Sequence, residues 1–156
     1  MDEITLSPPV SSDDGHEGLV GVGIDLCSVQ RIGDALGRTP GLSARLFTHR
    51  EQRALEDKRV AGGDAAVAGA AAQMFAVKEA VMKSLGAGFD TVPFATVEVD
   101  LSGPGVALRA EGDAKADAMG VCSFVVDVEL LDGPEGSAAV AEVLAVGGHT
   151  GRGPSS

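Results

Sequence analysis

The chain has 156 residues, a length that fits one domain with a core of its own, and 23 acids against 12 bases give it a net charge of −11. That balance argues against a protein whose main partner is a nucleic-acid backbone. With 44% apolar residues but only five Phe and neither Trp nor Tyr, the core must be built from Ala, Val and Leu.

Residues 1–17 hold five acids, no Lys or Arg, and the pairs Pro8-Pro9 and Ser11-Ser12, so they read as a disordered acidic tail. They lack the apolar run of a signal peptide. Residues 147–156 read as a flexible tail, which leaves 18–146 as the folded domain. No run of about 18 apolar residues predicts a transmembrane helix. Cys27 and Cys122 lie far apart without a CxxC, and His16, His49 and His149 lack metal-ligand spacing. A cytoplasmic, reducing setting is the expectation.

Leu19 to Ile24 reads as a buried strand ending at Asp25. Ser28 can cap a helix with Val29, Ile32 and Leu36 on one face, stopped by Gly37 and Thr39-Pro40-Gly41. Leu42, Leu46 and Phe47 form a short apolar turn. Thr48 and Glu51 fit a capping box whose helix runs to about Arg59. Gly62-Gly63 breaks the chain, Asp64 can cap again, and the Ala-rich stretch Ala65–Leu85 predicts the longest helix, ended by Gly86.

The second half is richer in strand. Strands are expected over Ala95–Leu101 and Val106–Leu108, then a short helix from Glu111 to Met119. Phe124–Leu130 and Ala138–Val146 read as an antiparallel hairpin joined at Gly133-Pro134 and Gly136. The fold class is therefore α+β, an antiparallel sheet packed against one long helix and several short ones.

Two places offer chemistry. Gly21-Val22-Gly23-Ile24-Asp25-Leu26 lacks the third glycine of a dinucleotide fingerprint, leaving a carboxylate at a strand end. A plain turn or capping Asp is the simpler reading of Asp25 alone. In Phe75-Ala76-Val77-Lys78-Glu79-Ala80, followed by Lys83, the pair Glu79 and Lys83 stands at i,i+4 and reads either as a solvated ion pair or as site chemistry. In the second reading Asp25 and Glu79 are hard oxygen ligands for Mg²⁺, with Lys78 and Lys83 balancing phosphate charge.

These segments resemble the holo-acyl-carrier-protein synthases, the small phosphopantetheinyl transferases. Gly21 to Leu26 with Arg31-Ile32 is similar to their N-terminal signature, and Phe75 to Ala80 with Lys83 and Leu85-Gly86 to their second. Leu46-Phe47-Thr48 with Glu51 matches between them, and Gly86-Ala87-Gly88-Phe89 resembles the loop that follows. The resemblance spans about residues 19–146. It implies transfer of 4′-phosphopantetheine from coenzyme A to a serine of an apo acyl carrier protein, releasing adenosine 3′,5′-bisphosphate. It further implies Mg²⁺ held by Asp25 and Glu79, phosphate contacts from Lys83 and Lys78, backbone approach at Gly86 and Gly88, a proton acceptor for which Glu79 is the usual candidate, and a homotrimer. Arg31 and Arg45 match positions used for carrier-protein contact.

Charge patterning adds separate support. Residues 31–59 hold seven of the twelve bases and four acids, a net +3 within an anionic chain. Such a segment would steer an acidic partner protein. A nucleic-acid reading of the same arginines lacks aromatic stacking residues. Two departures from the family pattern support an alternative, a catalytically impaired carrier-protein-binding module. Met74 stands where the family usually has an Arg that helps hold coenzyme A, and the run Val128–Gly133 lacks the family's histidine.

Overall fold

The computed structural model describes residues 18–87, 92–102, 105–108 and 111–148. The expected tail 1–17, Gly88 and residues 149–156 lie outside them. In chain order the elements are β1 (Gly18–Ser28), α1 (Val29–Arg38), α2 (Leu42–Leu46), α3 (His49–Ser84), a 3-10 turn (Phe94–Thr96), β2 (Val97–Asp100), β3 (Gly105–Leu108), α4 (Glu111–Ala118), β4 (Val121–Gly133) and β5 (Gly136–Gly147). An antiparallel sheet of order β1-β5-β4 packs against α3, and β2 and β3 form a separate antiparallel pair. This is the expected α+β class.

Both expected caps form. The Ser28 hydroxyl accepts from the Arg31 amide, and Thr48 and Glu51 exchange backbone and side-chain bonds. The expected break between two helices becomes a kink within α3, where Gly63 takes φ 69° and ψ −163°, a conformation closed to most side chains. An 18-residue window of α3 has a mean hydropathy of 1.3, long and apolar enough by that measure alone to cross a membrane, and half of this window is buried in the fold. Alanine supplies much of that hydropathy, which is why the sequence shows no long run of large apolar residues.

Small residues set the sheet–helix distance. On β5, Ala139, Ala141, Val143 and Ala145 are all fully buried, as are Ala76, Val77 and Ala80 on α3. On β1 the inward positions include Gly21 and Gly23. A Cβ at Gly21 would lie 1.9 Å from the Ser84 carbonyl oxygen, and one at Gly23 would lie 1.7 Å from that of Ala80. No side chain fits there, so these glycines let β1 and α3 touch backbone to backbone.

β1 is not the buried strand the sequence predicts. It is a sheet edge, it continues past Asp25 to Ser28, and its large apolar residues Leu19, Val22, Ile24 and Leu26 are exposed. The cause is alternation: glycines and Asp25 take the helix side, so the bulky residues point away. Leu144 of β5 pairs with Val22 and with Val125 of β4, and all three are exposed on that outer face. The C-terminal boundary also moves by one residue, because Gly147 belongs to β5 and pairs with Gly18 and Val121.

Candidate functional site

The glycine contact brings the inner face of β1 onto the last turns of α3. Asp25 on β1 and Lys83 on α3 meet there, Nζ donating to Asp25 Oδ1 at 2.6 Å and to the Ile24 carbonyl at 3.0 Å. The Lys83 side chain is 49% exposed and that of Asp25 is 15% exposed. Lys83 therefore keeps a donor on the solvent side. The helical i,i+4 pairing of Lys83 with Glu79 is replaced by this cross-element pair, a partner 58 residues away.

Glu79 sits one helical turn before Lys83 and is half-buried. Burial pushes its pKa above the ordinary carboxylate value, the Asp25 charge adds to the rise, and Lys83 opposes it. Burial pushes the Cys27 thiol up to about 11, again with a contribution from Asp25 and a smaller one from Glu79, against Arg31. These mutual influences set Asp25, Cys27, Glu79, Lys83 and Arg31 in one neighbourhood. No hydrogen-bond donor among the described residues meets the Glu79 carboxylate. Lys83 is bonded to Asp25, which leaves the Glu79 carboxylate as the acid without a bonded cation. Among the described residues no group of three or more His, Cys, Asp and Glu side chains converges, so a metal here would take its remaining oxygens from water or substrate.

Lys78 is a correction. Expected at phosphate, it is fully buried. Its ammonium donates to Glu51 Oε2 at 2.7 Å, to the Leu46 carbonyl at 2.9 Å and to the Phe94 carbonyl at 3.0 Å. An ammonium has three protons and all three are used, so none is left for a phosphate. Burial lowers its pKa, opposed by its bond to Glu51. Met74 is likewise in the core at 2% exposure. Gly86 follows α3 as an exposed residue with φ 60°.

Arg31 and Arg45 are both exposed and line one groove of about 550 Å³. Leu26, Ile32, Leu46 and Phe94 give it an apolar lining. Phe75 and Phe94 stack in it with ring centroids 5.0 Å apart. Cys27 lines the groove, two residues from Asp25. The basic pair and the acidic pair thus lie on neighbouring surfaces. Sequence reasoning had both arginines but missed Phe75 and Phe94 as a stacked pair, because their contact crosses from α3 to the 3-10 turn.

Residues 21–123 match the family model of the 4′-phosphopantetheinyl transferase superfamily. The chain belongs to this superfamily. The resemblance carried by the two signatures is thereby borne out. A protein of Beutenbergia cavernae named holo-[acyl-carrier-protein] synthase is 38% identical over 126 residues, covering 80% of this chain and 98% of that one. One of the same name from Desulforudis audaxviator is 37% identical over 134 residues, covering 83% and 94%. Among solved structures, the fold is similar to a Plasmodium yoelii acyl carrier protein synthase with ADP bound, at a TM-score of 0.75 and 24% identity, covering 86% of this chain and 100% of that one. It is also similar to the holo-[acyl-carrier-protein] synthase of Neisseria meningitidis, at a TM-score of 0.63 and 20% identity, covering 82% and 98%.

Proposed function

We propose that this phosphopantetheinyl transferase moves 4′-phosphopantetheine from coenzyme A to the serine hydroxyl of an apo acyl carrier protein. The observation that carries this reading is the junction of β1 and α3, where Asp25, Glu79 and a half-exposed Lys83 meet beside a groove lined by Arg31 and Arg45. In the reaction the serine oxygen bonds to the phosphorus that bears pantetheine. The bond from that phosphorus to the bridging oxygen breaks, and adenosine 3′,5′-bisphosphate leaves. The serine proton passes to a carboxylate or to water.

The donor set fits Mg²⁺, with Asp25 and Glu79 as its protein ligands and the remaining oxygens from water and substrate. When bound, the ion polarises the phosphoryl group and offsets charge on the leaving bisphosphate. Lys83 orients Asp25 through its 2.6 Å bond and turns its free proton toward phosphate. Glu79, with its raised pKa, is a candidate proton acceptor. Arg31 and Arg45 orient an acidic carrier over the apolar groove, so that its serine faces the acid pair.

A carrier protein of fatty-acid or polyketide synthesis in the cytoplasm is the partner this reading names. The exposed outer face of the sheet, with Val22, Leu144 and Val125 in register, supports assembly with further copies of the chain, as a homotrimer. Light scattering on the purified chain reads that state directly.

The decisive experiment incubates the protein with coenzyme A, Mg²⁺ and a panel of apo carrier proteins and weighs the products. A mass gain of one phosphopantetheine arm, lost in Asp25→Ala and Glu79→Ala, supports the reading. No gain on any carrier overturns it. Binding without gain would instead fit a carrier-binding module, the reading that Met74 in place of the family's Arg supports.

A further inference from the structure

The Lys78–Glu51 pair lies wholly inside the protein, both side chains at 0% exposure. Each of its polar atoms is engaged. Glu51 Oε2 accepts from the Thr48 amide at 2.7 Å as well as from Lys78, and Glu51 Oε1 accepts from the Val99 amide at 2.7 Å. Lys78 Nζ also stands 5.6 Å from the centre of the Phe47 ring. Five segments converge on one ion pair: the end of α2, the start of α3, its second half, the 3-10 turn and β2.

Stability alone explains such a pair poorly. Burying two charges costs several kcal/mol per ion by order of magnitude, and well-packed apolar residues commonly do as well or better. The positions of the bonds are more informative. The two carbonyls that Lys78 holds belong to Leu46 and Phe94, and both residues line the groove that carries Arg31 and Arg45. One buried cation therefore fixes the wall of the groove from behind.

We infer that Lys78 and Glu51 are positioning residues that set the width of the carrier groove. This rests on the proposed function, with the carrier protein as the groove's occupant. The pair never touches substrate. It acts through the carbonyls of Leu46 and Phe94.

The test replaces the pair by apolar residues of similar size, Lys78→Met with Glu51→Leu, in the full chain. Thermal unfolding first establishes that the variant folds. Initial rates are then measured against apo carrier protein and, separately, against coenzyme A. The expected result is a rise of about ten-fold in KM for the carrier with KM for coenzyme A unchanged, the size of one misplaced docking contact. A merely structural defect would reduce the active fraction and lower kcat while leaving both KM values in place. That outcome overturns the inference. If the apolar pair does not fold, the neutral pair Lys78→Gln with Glu51→Gln is measured the same way. Absence of transfer by the unmodified chain would sink the functional reading, whereas normal transfer with an unmoved carrier KM in a folded variant sinks only the positioning role.

Discussion

Two lysines five residues apart on α3 occupy opposite environments. Lys78 is enclosed with Glu51 in the interior, and Lys83 sits at the rim against Asp25 with its side chain 49% exposed. Both are Lys–carboxylate pairs of nearly equal length, 2.7 Å and 2.6 Å. What separates them is how many protons they have left. The inner lysine spends all three on protein atoms, whereas the outer one bonds two acceptors and has one left over. Pair geometry therefore says little about role, and the surrounding acceptors say much.

The sharpest break of this contrast comes from the rim. Glu79→Ala or Asp25→Ala should lower the transfer rate by on the order of 10³-fold while the chain stays folded, because charge stabilisation at the phosphoryl group is lost. Intact-mass assays and circular dichroism read the two effects separately. The interior should respond in the opposite sense. Lys78→Ala leaves Glu51 buried and unpaired and should cost about 3–5 kcal/mol of stability, measured by urea unfolding. If instead Lys78→Ala is neutral in stability, the interior pair does not differ from the rim pair as described.

A smaller effect tests the groove beside the rim. Arg31→Glu with Arg45→Glu should raise KM for the carrier protein by about ten-fold at low salt, with the difference shrinking as ionic strength rises. An unchanged KM removes the basic groove from the docking surface. The smallest expected effect concerns protonation. The pKa of Glu79 is raised in the folded state, so the native chain binds this proton more tightly than the unfolded chain does. The stability contribution of this group is then present at low pH and is lost as pH rises through the folded value. Glu79→Gln should therefore raise the thermal midpoint at neutral pH by about 2 °C even as it removes transfer. In the absence of metal, the stability difference between wild type and Glu79→Gln should shrink on acidification, as Glu79 takes up its proton.

What the sequence discloses follows the reach of the interactions. Ser28 capping α1 and the Thr48–Glu51 box are contacts over three residues, and both are legible from spacing. The kink at Gly63 is legible from Gly62-Gly63. The pairing of Lys83 with Asp25 spans 58 residues, and nothing in the helix pattern competes visibly with the i,i+4 partner Glu79. Glu51 shows why partial legibility misleads. Its capping role is readable, yet the same carboxylate also serves Lys78 and Val99, and only the packed fold shows that it is buried. The exposed face of β1 was hidden for a related reason, since an apolar run does not say on which side its neighbours stand.

The contact at Gly21 and Gly23 works as a gauge block. Its thickness is that of bare backbone, and one methyl group at either position would overlap a carbonyl oxygen of α3. The strand would then lift from the helix, and Asp25 would travel with it while Glu79 stayed behind. The spacing between the two acids is thus machined by two hydrogen atoms, in a place where neither acid has any say.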